Sequence, residues 1–260
     1  MIINLPKFLS VKYNLSVRQA KKILKNGDVY YKDFPYHRKS IDENHINDIY
    51  INKIPPDLSY DAEQYVIKCY EDTVFLYKPP FMHTERLTPF DHLTIDDIVK
   101  TNYPEYSLIS RLDFETDGII AAVKKNSSFQ VSKKYLAFVK GEINTPIELS
   151  NKIDAVNRKK VKVINVQTGN KTLITPIRIF SRKGKPVTLI EVKLREATRH
   201  QIRAYCSYLK TPIIGDNVYG NYFYKRLMLH CKTNQIYFPS QNRTISCDSP
   251  EWENFISSFN

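Results

Sequence analysis

Three stretches of the sequence bring together the side-chain types that can do acid–base or nucleophilic chemistry. The first is Ser110-Arg111-Leu112-Asp113-Phe114-Glu115-Thr116-Asp117-Gly118-Ile119-Ile120, where Arg111 and Asp113 flank a leucine just ahead of a glycine and an apolar run. The second, Arg199-His200-Gln201-Ile202-Arg203, leads into a helical pattern and is followed by Pro212-Ile213-Ile214-Gly215-Asp216-Asn217-Val218-Tyr219-Gly220. The third is Lys134-Tyr135-Leu136-Ala137-Phe138-Val139-Lys140-Gly141. Each has a plain reading when taken alone. An aspartate in a loop is usually a turn former or a surface charge, a strand tyrosine usually packs in a core, and a lone arginine often meets phosphate. The Asp113 carboxylate also fits an aspartate-nucleophile hydrolase.

Other chemistries have little support. The chain has 7 glycines, and none sits in a phosphate-cradling loop of the kind that ATP- or NAD-dependent enzymes use. Cys69, Cys206, Cys231 and Cys247 are widely spaced, which suggests reduced thiols in a cytosolic protein and neither a zinc site nor a disulfide framework. His83, His92 and His230 lack metal-ligand spacing and are expected to be structural. No apolar run approaches the ~18 residues that suggest a membrane span, and the first residues lack the layout of a signal peptide. A cytoplasmic protein is expected. Lys and Arg number 39 against 27 Asp and Glu, a net +12 that attracts polyanions.

Several elements must position these groups. Residues 1–53 read as a small basic α+β module with ten Lys and Arg against five Asp and Glu, net +5. Ser16 and Gln19 form a capping-box pattern, and Ala20, Ile23 and Leu24 then share one helical face. Arg18, Lys21, Lys22 and Lys25 crowd the rest, and Gly27 suits a left-handed helix end. Val29–Tyr31 and Ile49–Ile51 look like strands. Residues 54–62, with Pro55-Pro56, read as a linker. Residues 63–260 then hold many strand-like runs: Val66–Tyr70, Val74–Tyr77, Gly118–Val123, Tyr135–Val139, Leu173–Phe180 and Val187–Leu194. Helical patterns cover Thr94–Lys100, Ser127–Lys134 and His200–Leu209. Strands outnumber helices without alternating with them, which predicts an α+β domain on a mostly antiparallel mixed sheet.

In this order and spacing, the three stretches closely resemble the motifs of the RluA-type pseudouridine synthases. Those carry His-Arg-Leu-Asp-x-x-Thr-Ser-Gly, Lys-x-Tyr-Leu-Ala-Leu-Val-x-Gly, Gly-Arg-Thr-His-Gln-Ile-Arg, Pro-Ile-x-Gly-Asp-x-x-Tyr-Gly and Leu-Met-Leu-His-Ala. The last corresponds to Leu227-Met228-Leu229-His230-Cys231, after Arg226, and an early Asn-Lys-Pro to Tyr77-Lys78-Pro79. The resemblance covers about residues 64–238. The N-terminal module resembles, more loosely, a small RNA-binding domain of a ribosomal protein. Three departures stand out: Ser110 replaces a histidine, Asp117 a serine, and Ala197-Thr198-Arg199 replaces Gly-Arg-Thr.

The resemblance implies a cofactor-free, metal-free isomerase that converts uridine to pseudouridine in structured RNA, ribosomal more than transfer RNA. A basic RNA-binding protein of the same fold with weak or no catalysis is the alternative, kept open by Ser110 and Asp117. By resemblance Asp113 is the nucleophile or base, Arg203 the cation beside it, and Tyr135 the stacking platform for the uracil. Arg111 would fill the gap left by the flipped uridine. Lys78 and Arg199 are expected to contact RNA, His200 and Gln201 to contact RNA or pack against the site, while Arg18, Lys21, Lys22 and Lys25 hold phosphates. The run Arg158-Lys159-Lys160-Val161-Lys162 would suit a phosphate track. A monomer meets all of these expectations.

Overall fold

The computed structural model describes all residues but 14, 33, 52–60, 87–92, 157–159, 221–223 and 260. The described residues fall into two compact units that part within residues 52–60. The Pro55-Pro56 stretch, His92, Arg158 and Lys159 thus lie outside the described residues.

The N-terminal unit runs β1 (Ile2–Asn4), α1 (Leu5–Lys12), α2 (Val17–Asn26), β2 (Val29–Tyr31), β3 (Phe34–Pro35), β4 (Ser40–Asp42) and β5 (Ile49–Ile51). The start of α2 follows from local chemistry. Ser16 Oγ accepts from the Gln19 amide at 3.2 Å, and the Gln19 side chain accepts from the Ser16 amide at 2.8 Å. Gly27 ends the helix at φ 88°. Ala20 and Leu24 are buried, while Arg18, Lys21, Lys22 and Lys25 are exposed.

The larger unit contains β6 (Val66–Tyr70), β7 (Thr73–Lys78), α3 (Ile95–Asn102), β8 (Tyr106–Leu108), β9 (Asp117–Lys124), β10 (Gln130–Lys140), β11 (Ile147–Leu149) and β12 (Lys152–Asp154). It continues with β13 (Lys162–Ile164), β14 (Thr172–Arg182), β15 (Lys185–Leu194), α4 (Gln201–Tyr208), β16 (Leu229–Phe238), β17 (Arg243–Asp248) and α5 (Trp252–Ser257). Ten of the strands form one sheet in the order β11-β14-β15-β10-β16-β9-β7-β6, with β17 on β16 and β8 on β9. Among the described pairs only β9 and β16 run parallel. Ile119–Val123 and Leu136–Val139 are buried throughout and form the centre of the core.

The helix expected over Ser127–Lys134 is absent. Residues from Gln130 onward extend into β10, paired on both sides with β15 and β16. β16 pairs with this segment from Gln130 and β15 from Lys133, and these nonlocal hydrogen bonds override a local helical pattern. A register shift between Lys134 and Tyr135 re-aims the strand just where its tyrosine emerges.

Gly118 permits the parallel β9–β16 contact. Its φ is +121°, and a Cβ there would lie 2.3 Å from the Cys231 carbonyl oxygen. Gly215 is as constrained, at φ +81° with a Cβ 1.8 Å from the Arg226 carbonyl oxygen. Both glycines bring a backbone close enough to set an acidic neighbour, Asp117 or Asp216, beside its partners.

Candidate functional site

Asp113 sits in the loop between β8 and β9. Thr84 fixes the loop from one side: its hydroxyl donates to the Leu112 carbonyl at 2.8 Å and accepts from the Leu112 amide at 3.1 Å. A turn closes behind it, with the Thr116 amide donating to the Asp113 carbonyl at 3.0 Å. Leu112 is buried, which anchors the loop and leaves the Asp113 side chain 22% exposed.

Arg203 reaches this carboxylate from α4. Its Nη1 donates to Asp113 Oδ2 at 3.1 Å, while Nε and Nη2 grip Asp216 at 2.7 and 2.9 Å. Asp216 is locked in turn by the Val218 and Tyr219 amides, at 2.8 and 2.9 Å from Oδ1. The guanidinium is thus oriented by one buried carboxylate in a bidentate fork and presents its remaining edge to the other. Burial works against the Arg203 charge, but the two carboxylates outweigh it and raise its pKa. Burial likewise pushes the Asp216 carboxyl up, and the Arg203 hydrogen bond and charge more than reverse this, holding it below the usual range.

His200 lies in the left-handed region at φ 56°, where it starts α4. Its Nε2 is 3.8 Å from Asp113 Oδ1, and its Nδ1 is 3.2 Å from the Tyr219 hydroxyl. Burial, opposed by the Asp113 charge and reinforced by Arg203 and Arg199, lowers the His200 pKa. At neutral pH the imidazole is therefore mostly uncharged beside Asp113.

Tyr135 emerges from β10 opposite Cys231 of β16. Burial first, then the Cys231 thiol and the Asp113 charge, raise its hydroxyl well above the ordinary phenol range. Cys231 is itself pushed up to about 11 by burial, so both groups stay protonated at neutral pH. The site thus offers a partly exposed carboxylate, a rigid guanidinium on one of its oxygens and a neutral phenol close enough to feel its charge.

Asp117, four residues beyond Asp113, is enclosed. Arg226 Nη1 is 3.0 Å from its Oδ1, His230 Nδ1 is 3.1 Å from Oδ2, and the Tyr77 hydroxyl donates to Oδ2 at 3.3 Å. Burial pushes this carboxyl up, but His230 and Arg226 reverse the effect and hold it low. The extra negative charge noted in the sequence is therefore matched within the core.

Asp113 and Arg203 thus come together, and Tyr135 is buried on β10, 5% exposed. Arg111 is exposed and paired with Glu85 at 3.2 Å. Lys78 departs from expectation. It is fully buried, and its ammonium donates to the carbonyls of Pro79 and Met82 at 2.9 Å and of Phe114 at 3.4 Å, leaving no charge on the surface for RNA. Burial lowers its pKa to about 7, against the pull of Asp117 and Asp113. Gln201 is also buried, donating to Thr172 Oγ1 at 2.8 Å. Arg199 is half-buried at the start of the α4 turn. Lys160 and Lys162 are exposed, but Val161 between them packs with Ala204 and Tyr219. His83 lies against the Phe114 ring, centroids 4.4 Å apart, and His230 belongs to the Asp117 cluster. Asp216 was missed as a site residue because an aspartate after glycine reads as a turn former. Among the described residues, no three His, Cys, Asp or Glu side chains are gathered as for a metal ion.

Comparisons with known proteins converge. The sequence profile of the RNA pseudouridylate synthase family matches residues 72–208. An uncharacterized RNA pseudouridine synthase of Helicobacter pylori is 30% identical over 249 residues, covering 86% of this chain and 89% of that protein. The ribosomal large subunit pseudouridine synthase C of Buchnera aphidicola is 28% identical, covering 70% of this chain and 65% of its own length. Among solved structures, human RNA pseudouridylate synthase domain containing 1 shares the fold, with a TM-score of 0.57, 20% identity, and coverage of 72% of this chain and 82% of that one.

Proposed function

The chain belongs to the RNA pseudouridine synthase family, and from that premise we propose that Asp113 is the carboxylate that opens the glycosidic bond of a uridine in ribosomal RNA. The observation that carries this reading is the Asp113–Arg203–Asp216 arrangement, a reachable carboxylate set against a guanidinium that cannot turn away. Asp113 attacks as nucleophile or base at the sugar, and the bond from sugar to uracil nitrogen breaks. The freed uracil stacks on Tyr135, turns, and bonds to the sugar through carbon 5. This step displaces the Asp113 carboxylate if it had bonded to the sugar, or is accompanied by return to the sugar of the proton that Asp113 had taken if it acted as base. Carbon 5 then loses its proton and the released nitrogen gains one, so atoms balance with no redox change. Arg203 holds the attacking carboxylate in place, and Arg111, exposed at the head of the loop, fills the space vacated by the flipped nucleotide.

Ribosomal RNA is favoured because relatives carry the name of ribosomal large subunit synthases. The exposed Arg18, Lys21, Lys22 and Lys25 of α2 give residues 1–53 a phosphate-binding face, and residues 63–260 form the catalytic domain. No described helix is long and apolar enough to cross a membrane. Because every group invoked comes from one chain, a cytoplasmic monomer suffices.

Tritium release from RNA labelled at uracil carbon 5 tests the reading. The wild-type protein releases tritium, and an Asp113→Asn protein that still binds the RNA releases none. Failure of the wild type on total ribosomal RNA rejects the substrate. Replacing the four basic residues of α2 with Gln tests the N-terminal face. Each phosphate that the variant no longer neutralises should reduce the salt slope of binding by about 0.7–0.9, with the saturated single-turnover rate unchanged.

A further inference from the structure

Two buried lysines flank the Asp113 loop. Lys78, the last residue of β7, is 0% exposed and directs its ammonium at three backbone carbonyls, including that of Phe114, the residue after Asp113. Lys133 of β10 is 3% exposed and donates to the Ser110 hydroxyl, three residues before Asp113. Among the described residues, neither ammonium is paired with a carboxylate.

A buried cation with no counter-ion costs stability, so such a group persists where its hydrogen bonds hold something in place. In its protonated form Lys78 has three N–H donors, and each faces a backbone carbonyl. Phe114 is fixed twice over, since its carbonyl also accepts from the Phe81 amide at 2.8 Å. Lys133 ties the opposite end of the loop to the strand that carries Tyr135 two residues later. Its partner Ser110 stands where the motif of the resembling family has histidine, so this anchor depends on a side chain that departs from that motif.

We propose that Lys78 and Lys133 are positioning residues that clamp the two ends of the Ser110–Phe114 loop, fixing the Asp113 carboxylate relative to Arg203 and Tyr135. The clamp rests on the assignment of Asp113 as the attacking group. Neither lysine touches RNA in this scheme. The loop is held from β7 on one side and from β10 on the other, so the carboxylate keeps its place when the nearby Arg111 leaves Glu85 to follow a flipped nucleotide.

The experiment compares wild type, Lys78→Met, Lys133→Met and Ser110→Ala by steady-state kinetics on RNA, thermal melting and hydrogen exchange of the Thr116 amide. That amide closes the turn on the Asp113 carbonyl and reports on the loop without any need for turnover. A misplacement near 1 Å can cost on the order of 100-fold in rate, so the folded methionine variants should lose at least about tenfold in kcat, with KM within about twofold. Ser110→Ala removes only a hydroxyl and keeps the fold if the methionine variants do not. It should lower kcat by a few-fold, less than the methionine variants do, and speed Thr116 exchange. Wild-type kcat and wild-type exchange in folded variants would overturn the clamp. If the wild type forms no pseudouridine, the assignment of function fails, while the exchange comparison still decides whether the lysines hold the loop.

Discussion

Asp113 and Asp117 stand four residues apart, and each meets one arginine at nearly the same distance, 3.1 and 3.0 Å. Their surroundings separate them. The Asp113 side chain is 22% exposed and shares its arginine with a second carboxylate. The Asp117 side chain is 3% exposed and has Arg226, His230 and the Tyr77 hydroxyl to itself. The same ion-pair chemistry therefore serves two ends. An enclosed carboxylate with spare donors around it contributes to the fold. An accessible one, whose arginine is fixed from behind, keeps the exposure that the proposed attack on RNA requires.

The largest effect expected is on turnover at Asp113. Asp113→Asn keeps the shape of the side chain but loses its nucleophilicity and charge, so pseudouridine formation should vanish while melting temperature and RNA affinity stay near wild type. Substantial tritium release by the purified variant would remove Asp113 from the reaction and erase the contrast with Asp117.

Arg203→Ala should reduce both rate and stability, because it strands the fully buried Asp216 along with Asp113. Removing one partner of a buried pair costs about 3–5 kcal/mol. Denaturant unfolding beside single-turnover kinetics measures the two losses together. Wild-type values in both would show that the fork does not hold the site.

Much of this contrast could be read from sequence, though not all. The α2 helix was legible because Ser16, Gln19 and Gly27 act within a few residues of one another. Val66–Tyr70 was legible because its composition and turns bound a strand locally. The Ser127–Lys134 segment misled because β10 is set by strands that begin 55 and 99 residues after it. Among the proposed site residues, Asp113, Tyr135 and Arg203 were singled out through a resemblance spread over five motifs, and the structure sets Arg203 on Asp113. Burial is what the motifs could not convey. Nothing local separates a lysine that faces RNA from Lys78, whose acceptors are created when residues 79–82 and 114 fold around it. Asp216 was hidden for the same reason, since its importance lies in a guanidinium thirteen residues earlier in the chain.

Asp117 offers the reverse of the Asp113 experiment. Asp117→Asn should leave Asp113, the carboxylate proposed to attack, in place but strand the Arg226 charge in the core, with a cost of about 3–5 kcal/mol. Some turnover should survive at temperatures where the variant is folded. The readout is the ratio of rate to stability, which moves in the opposite direction for Asp113→Asn. If Asp117→Asn melts like the wild type, then the enclosed pair is not part of what holds the fold.

The smallest effect separates the two regions by pH. The folded-state pKa values of Asp117 and Asp216 lie below the ordinary value, in both cases because cationic partners outweigh burial. The unfolded chain takes up protons on these groups near the ordinary aspartate value of about 3.9, before the folded chain does. Above that pH their stabilisation is fully present. As the pH falls below it, towards the depressed folded values, the stabilisation is progressively lost, so the unfolding free energy should decline with a slope of up to about 1.4 kcal/mol per pH unit for each group. Asp117→Asn removes one of these groups and should flatten the slope over that range, whatever its effect at neutral pH. Urea unfolding of wild type and variant between about pH 5 and pH 2 makes the comparison. Parallel curves for the two proteins would mean that Asp117 titrates at the same pH in the folded and unfolded chains, so that its partners do not favour its charged form.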